Sequence, residues 1–515
     1  MRTKQSIINI TVNIAGQLLN FLLAVISRSV LAKILPGEYL GINGLFTNVL
    51  NILSLAELGI STAMLYAFYK PVAENNISEI RKLMNYYRQM YRMIALAVSC
   101  LGILLIPFLH ILVKDADQIE HLVLMYLLYL VQSVSSYFFV YKTSIITANQ
   151  KQYIYNIYTY ACTVCRYILQ ILVLIWMKDF LIYLAVQIVF AILPNILASR
   201  KAEKMYPYIA DNRNVYPEET VRKDILKNVR AMFSHKLGSV LVYNTDNLIM
   251  SAFVGLGGVG IYSNYKLISS NLNAVLSQVF AGMSASIGNL AATSERKRVL
   301  EVFNTLNFFC FLLYGYSTVL MAVLFEPFIM LFFGESFLMG KWTVLMLLME
   351  FYITGMRQAM QQFRNAMGTF WYDRYKPIAE VILNLVISLV LVNRYGIGGI
   401  LAGTVFSLLL VPFWVEPYVF FKYSIKENMR KNMIKYFSIY FIRTLIIVTA
   451  YLGIGKVCAV LPGENLIGII IRGLTATVLY GILMILIFSK TDEWRNLIKS
   501  GVTILRRKKE NELDS

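Results

Sequence analysis

Charged residues, cysteine and histidine are all scarce in this chain of 515 residues. Only 15% of the residues are charged and 58% are hydrophobic, whereas soluble domains have about 25% charged residues. This composition excludes a disordered chain and argues against a soluble globular protein. The three histidines form no metal or triad motif, and the five cysteines lie in apolar stretches, as packing residues do. The sequence therefore predicts a polytopic membrane protein.

Apolar stretches long enough to cross a membrane recur along the whole sequence. A spanning helix needs about 20 mostly apolar residues, and lipid forces backbone groups to bond internally, which favours helices over open strands. Fourteen predicted spans cover residues 8–35, 39–66, 91–113, 123–148, 154–177, 180–199, 229–254, 259–290, 299–325, 344–367, 377–392, 397–421, 434–455 and 466–489. The fold class is accordingly all-α with 14 transmembrane helices.

The spans group into two six-helix lobes around a central cavity, plus two C-terminal helices. A weak parallel repeat supports this grouping, because residues 28–41 align with residues 246–260 at an offset of 218 or 219. The predicted segments are an N-lobe at 1–199, a cytoplasmic linker at 200–228, a C-lobe at 229–421, spans 13 and 14 at 422–489, and a basic tail at 490–515.

The net charge of +19 indicates topology rather than a nucleic-acid partner. With fourteen spans, 35 of the 48 lysines and arginines fall on one side, 6 on the other and 7 within spans. The positive-inside rule therefore predicts that both termini are cytoplasmic. The run Gly255–Gly260 fits G-x-G-x-x-G, but it joins two predicted spans, so a tight hairpin is predicted instead of a dinucleotide site.

Ionisable residues inside spans carry the functional signal, because each costs about 2.5–3.5 kcal/mol at the membrane centre and normally faces a cavity or a partner. The cations predicted to line a substrate-binding cavity are Arg28, Arg166, Lys236, Lys266 and Arg357. Such a cavity attracts a pyrophosphate or an acidic sugar. Arg28 and Asp246 occupy equivalent positions of the repeat and are predicted to form a gate or coupling pair. Snorkelling to the interface is an equally good interpretation of Lys236 and of Arg443.

The first 95 residues carry a family pattern. It consists of an arginine late in the first helix, a leucine-glycine-x-x-tyrosine-glycine turn, and an acid-Leu-Gly-hydrophobic sequence in the second helix. Arg28, GEYLG at 37–41 and ELGI at 57–60 fill these places, with Leu40 inserted between the tyrosine and the glycine. In these residues the chain resembles the Wzx-type polysaccharide flippases of the multidrug/oligosaccharidyl-lipid/polysaccharide exporter superfamily.

The resemblance implies a bacterial plasma-membrane flippase that works by alternating access. Its cargo would be an undecaprenyl-pyrophosphate-linked oligosaccharide, moved from the inner to the outer leaflet for capsule, exopolysaccharide or another surface polysaccharide. It further implies that Arg28 is a cavity cation and that Arg443 and Arg472 border a groove for the lipid tail. Membrane lipids, a polysaccharide polymerase and glycosyltransferases are the expected partners. No enzyme activity and no cofactor are expected, apart from a coupling ion, Na⁺ or H⁺.

Three alternatives remain open at this point. A multidrug or cation antiporter of the same superfamily would use a buried acid such as Asp246. A flippase for the peptidoglycan lipid precursor would share the cationic cavity. A membrane scaffold for glycosyltransferases would instead depend on the cytoplasmic linker and tail.

Overall fold

The computed structural model describes residues 2–57, 60–113, 119–149, 151–210, 215–281, 283, 287, 290, 294–463 and 465–499. Every regular element in these ranges is a helix, which confirms the all-α class. The chain divides by its contacts into two compact units, Met1–Ser263 and Asn264–Ser515. This boundary falls inside a helix, and the division into lobes at the linker stays a prediction. All five cysteines are free.

Long helices dominate unit 1, and short helical turns connect several of them. Its described helices are α1 (Arg2–Ile34), α2 (Gly37–Leu53), α3 (Ile60–Ala73), α4 (Ile77–Leu104), α5 (Leu109–Leu112), α6 (Leu122–Tyr137), α7 (Val140–Ala148), α8 (Gln152–Trp176), α9 (Phe180–Met205), α10 (Glu219–Phe253) and the start of α11 (Leu256–Ala281). Helix α8 packs against α1 and α9, and α10 packs against α2 and α3.

Unit 2 is organised around one long helix of 37 residues. Its described helices after α11 are α12 (Arg296–Phe332), α13 (Lys341–Met356), α14 (Gln358–Ala366), α15 (Lys376–Tyr395), α16 (Ile397–Leu410), α17 (Pro412–Val419), α18 (Met429–Ala459) and α19 (Leu466–Phe488). Helix α12 packs against α13, α18 and α19, while α15 and α16 form a closely packed hairpin.

The number of spans in the structure is consistent with the predicted fourteen. Nine helical segments of the described ranges are long and apolar enough to cross a membrane, and the pair α6 and α7, bent by 46°, makes a tenth. The other four predicted spans fall on helices that are interrupted or more polar, namely α2 with α3, α10, α11, and α13 with α14. The chain is therefore a multi-pass membrane protein.

Two repeat-related glycines bring the starts of α2 and α11 into backbone contact. A methyl group added at Gly41 would overlap the carbonyl of Leu256, and one added at Gly260 would lie 2.8 Å from the carbonyl oxygen of Gly37. The loop before α11 also contains Gly255 at φ 101°, a conformation that favours glycine. The GxGxxG run is thus a tight helical hairpin, as predicted.

Candidate functional site

Arg28 lies on α1, in the part of unit 1 where five helices meet. Its Nη2 donates a hydrogen bond to the Oγ of Ser263 near the start of α11. The guanidinium is also close enough to interact electrostatically with Tyr183, Tyr129 and Tyr167. These hydroxyl groups supply dipoles and no negative charge of their own.

Arg166 reaches the same region from α8, which packs against α1. It interacts electrostatically with Tyr129 and Tyr183, both of which also interact with Arg28. Its guanidinium lies 4.5 Å from the ring centroid of Tyr167. The buried Nε has no hydrogen-bond partner, and no acidic residue in the described ranges forms an ion pair with Arg166.

A hydrogen bond fixes Tyr129 near these two arginines, and a pair of glutamines lies close to Tyr183. Tyr129 is 3% exposed and donates to Oδ1 of Asn43 on α2 at 2.8 Å. Tyr183 on α9 is also buried, and one turn later Gln187 donates to Gln132 of α6 at 3.1 Å. We call Arg28, Arg166, Tyr129, Tyr167 and Tyr183 the arginine–tyrosine site.

Asp246 and Lys236 both belong to α10. Asp246 is buried, at 5% exposure. Its pairing with Arg28 as a gate stays a prediction. The side chain of Lys236 lies outside the described residues, so its place in a cavity also stays a prediction.

An acidic residue of the family pattern joins two parts of unit 1. Glu57 accepts hydrogen bonds from Tyr91 on α4 at 2.7 Å and from Ser61 on α3 at 2.9 Å. Leu58 and Gly59 of the same motif lie outside the described residues. Glu57 therefore links the interrupted second span to α4.

In unit 2, the predicted cavity cation Lys266 has a carboxylate partner. Its Nζ lies 2.6 Å from Oε1 of Glu350 on α13, and the Glu350 side chain is 7% exposed. The two side chains have opposite formal charges. The role of Lys266 in substrate binding stays a prediction.

The predicted cavity cation Arg357 belongs to a buried group of charges that we call the C-lobe ion cluster: Arg357, Arg364, Asp373, Lys376 and Glu416. Arg357, between α13 and α14, donates twice to Glu416 of α17, from Nε at 2.9 Å and from Nη2 at 2.7 Å. The same carboxylate lies 2.5 Å from Lys376 and 3.1 Å from Arg364. Arg364 also pairs with Asp373 at 2.6 Å. Ion pairs thus join α14, α15 and α17 to the α13–α14 junction.

The two cations predicted by resemblance to border a lipid groove have different surroundings. Arg443 of α18 is 5% exposed and lies over Phe308 and Phe311 at 5.1 and 5.5 Å from their ring centroids. Arg472 of α19 donates from Nε and Nη2 to the carbonyl oxygen of Leu461, at 3.0 and 2.6 Å. Arg472 thereby closes the connection between α18 and α19, and the groove itself stays a prediction.

Several residues of these sites were not singled out in the sequence. Tyr183 and Gln187 carry a recognisable signal, because polar groups spaced by four residues within an apolar stretch share one helix face. Arg364 and Lys376 were not predicted as site residues, yet they lie 3.1 and 2.5 Å from the carboxylate of Glu416. Within the described ranges, no group of three or more His, Cys, Asp or Glu side chains is arranged to hold a metal ion.

A family model described as polysaccharide biosynthesis protein matches residues 6–287 of the chain. Comparison with curated proteins found no match.

Solved membrane proteins share the fold at low sequence identity. The lipid II flippase MurJ in an inward closed conformation aligns with a TM-score of 0.65 and 16% identity, over 95% of this chain and 100% of that chain. An inward-facing multidrug resistance MATE family transporter of the MOP superfamily aligns with a TM-score of 0.55 and 14% identity, over 80% and 96% of the two chains. A mutant of the Vibrio cholerae MATE transporter VcmN gives 0.53 and 12% identity, over 81% and 99%.

Proposed function

Because the chain belongs to the polysaccharide biosynthesis protein family, we propose that it is a flippase for an undecaprenyl-pyrophosphate-linked oligosaccharide. It would act in a bacterial plasma membrane with both termini in the cytoplasm. Glycosyltransferases would supply the cargo on the inner leaflet and a polymerase would use it on the outer leaflet. The fold shared with MurJ and MATE transporters supports alternating access as the mechanism.

The arginine–tyrosine site is the observation that carries this proposal. Guanidinium groups bind phosphate through paired, charge-assisted hydrogen bonds, and two of them at one site match the two phosphates of a pyrophosphate. The surrounding tyrosines offer ring faces and hydroxyl groups to the sugar next to the pyrophosphate. Arg166, with a buried Nε that has no described partner, keeps a donor available for this ligand.

The membrane potential supplies a direction for transport. The headgroup is anionic, so a potential that is negative inside favours its movement outward by about 2.3 kcal/mol per elementary charge per 100 mV. The arginines compensate the headgroup charge while it crosses the apolar core. We propose a coupling ion, Na⁺ or H⁺, as the means of resetting the empty carrier.

The test is a flipping assay in proteoliposomes with a fluorescent lipid-linked oligosaccharide. Replacing both Arg28 and Arg166 by glutamine should lower the flipping rate at least tenfold, because two charge-assisted contacts to phosphate are lost. The melting temperature should stay close to that of the wild type. Arg394→Gln, at an exposed arginine, removes the same type of charge and should flip normally. Normal flipping by the double variant would contradict the proposal.

The proposed gate requires Arg28 and Asp246 to act on each other. Arg28→Asp and Asp246→Arg should each abolish flipping, and the combined exchange should restore part of it, since the pair would again have opposite charges. A combined variant as inactive as the single variants would contradict the gate and leave the substrate assignment to the flipping assay above.

A flippase for the peptidoglycan lipid precursor is the second candidate, favoured by the alignment with MurJ over nearly the whole chain. Both cargoes carry an undecaprenyl pyrophosphate, so the arginine–tyrosine site serves either. Competition separates them. In the flipping assay, excess lipid II should not slow flipping of the labelled oligosaccharide if the protein selects its cargo by the sugar. Strong inhibition by lipid II would favour the second candidate.

A further inference from the structure

A crevice opens in unit 2 beside the first turns of α12 and α18 and beyond the end of α19. Its lining includes Asn307 of α12, Lys435, Tyr436 and Arg443 of α18, and Glu493. All of these residues belong to one unit, and none belongs to the arginine–tyrosine site. The crevice lies at the helix ends that the distribution of basic residues predicts to be on the cytoplasmic side.

Two polar groups in this crevice are buried and lack a partner. Nη1 of Arg443 and Oδ1 of Asn307 form no hydrogen bond to any described residue, although both side chains are only 5% exposed. Arg443 also has no ion pair within the described ranges. One face of its guanidinium lies over Phe308 and Phe311, which shields it from water. A buried donor and a buried acceptor in one crevice are costly unless a bound molecule satisfies them.

The charged side chains that line the crevice restrict the chemistry of the bound molecule. Arg443 and Lys435 call for an anion, and the guanidinium is the better partner for phosphate. Glu493 is close enough to interact electrostatically with Arg443, and together with Asn307 it offers oxygen acceptors. A bare phosphate leaves those acceptors without a donor and places negative charge near Glu493. A phosphodiester that also carries hydroxyl groups satisfies both kinds of partner.

The surface next to the crevice has the character of a membrane interface. A shallow depression at the start of α18 is lined by Met429, Arg430, Lys431 and Ile434, and Ile434 is 60% exposed. Basic and apolar side chains that alternate at a helix end are typical of positions at the level of lipid headgroups. These side chains would therefore hold a lipid headgroup beside the crevice.

We propose that this crevice binds the hydroxylated phosphodiester headgroup of an anionic lipid, of the phosphatidylglycerol type. The phosphate would accept from Arg443 and Lys435, and the glycerol hydroxyls would donate to Asn307 and Glu493. The site goes beyond the proposed transport function and does not depend on it.

Lipid retention by the purified, delipidated protein, measured by native mass spectrometry, tests the site. The probes are phosphatidylglycerol and phosphatidylmethanol, which has the same charge but no hydroxyl group. The wild type should bind phosphatidylglycerol more tightly, and Arg443→Gln should weaken its binding about tenfold. Lys456→Gln removes an exposed cation near the other end of the same helix, away from the crevice and the depression, and should bind as the wild type does.

If Arg443→Gln does not fold, a second variant tests the same site. Asn307→Leu retains every charge and should abolish the preference for phosphatidylglycerol over phosphatidylmethanol. Equal binding of the two lipids by the wild type would show that the crevice does not recognise the hydroxyl groups. Unchanged binding by Arg443→Gln would show that Arg443 does not bind the phosphate, and either result would overturn the proposal. Displacement of phosphatidylglycerol by an equal concentration of glycerol 3-phosphate would assign the site to a soluble ligand and overturn its assignment to a lipid.

Discussion

The arginines of the two units differ in their described partners, and the difference separates the pair proposed to bind substrate from the arginines that join helices. In unit 1, Arg28 and Arg166 lie among tyrosines that supply dipoles. In unit 2, Arg357 and Arg364 share the carboxylate of Glu416 with a lysine. An arginine among hydroxyl groups retains its attraction for an anionic ligand, whereas an arginine held by a buried carboxylate joins helices. Burial of a cation inside a membrane protein therefore does not by itself identify a substrate ligand.

Among the substitutions that test this comparison, Glu416→Gln should cause the largest loss of stability. The side chain is 1% exposed and holds three cations, so its neutralisation leaves Arg357, Arg364 and Lys376 without their shared partner. Removal of one member of a buried ion pair costs roughly 3–5 kcal/mol. Thermal melting of the detergent-solubilised protein should show the loss, while Glu335→Gln, at an exposed acid, should melt as the wild type does. Equal melting of both variants would mean that the cluster does not brace unit 2.

Alanine at Gly41 or Gly260 should have an intermediate effect, confined to unit 1. The added methyl group would overlap backbone atoms of the other helix, and such overpacking costs roughly 1–3 kcal/mol. Gly257→Ala is the matched control, since nothing lies within 4 Å of the added carbon. Because alanine favours helices, this control should be neutral or slightly stabilising. Loss of stability in the control equal to that of Gly260→Ala would contradict the close packing of α2 and α11.

Tyr91→Phe should have the smallest effect. It removes the hydrogen bond of 2.7 Å to Glu57, but Ser61 still donates to the same carboxylate, so the free energy of unfolding should fall by roughly 1 kcal/mol. Tyr87→Phe, one turn earlier, removes a longer bond of 3.4 Å to Tyr91 and leaves the bond to Glu57 in place, so it should lose less. If the order of the two losses is reversed, Glu57 is not the main partner of Tyr91.

Much of the fold can be predicted from the sequence, because a helix that crosses a lipid bilayer must be long enough and mostly apolar. The nine clear spans and the bent pair follow from apolar length alone. The predicted spans at 229–254 and 259–290 fall on α10 and α11, which are more polar, and the distribution of basic residues supports counting them as spans. The contact between the repeat-related glycines Gly41 and Gly260 is a tertiary fact that the faint repeat does not reveal.

The partners of individual charges could not be predicted in the same way. Arg357 and Glu416 lie 59 residues apart, and only the packing of their helices shows that they meet. The same holds for Lys266 and Glu350, which are 84 residues apart. Arg28 and Arg166 were predicted to line one cavity, and in the structure both are close enough to Tyr129 and Tyr183 to interact electrostatically with them. Their contact with substrate stays a prediction until it is measured.

The most direct test of the account is the affinity of the purified protein for undecaprenyl pyrophosphate, compared with undecaprenol, which has the same tail and no phosphate. We expect the wild type to bind the pyrophosphate at least tenfold more tightly, and we expect the Arg28→Gln and Arg166→Gln double variant to lose that preference while its melting temperature is retained. Equal affinity of the wild type for the two lipids, or an undiminished preference in the double variant, would contradict the assignment of the arginine–tyrosine site to the pyrophosphate.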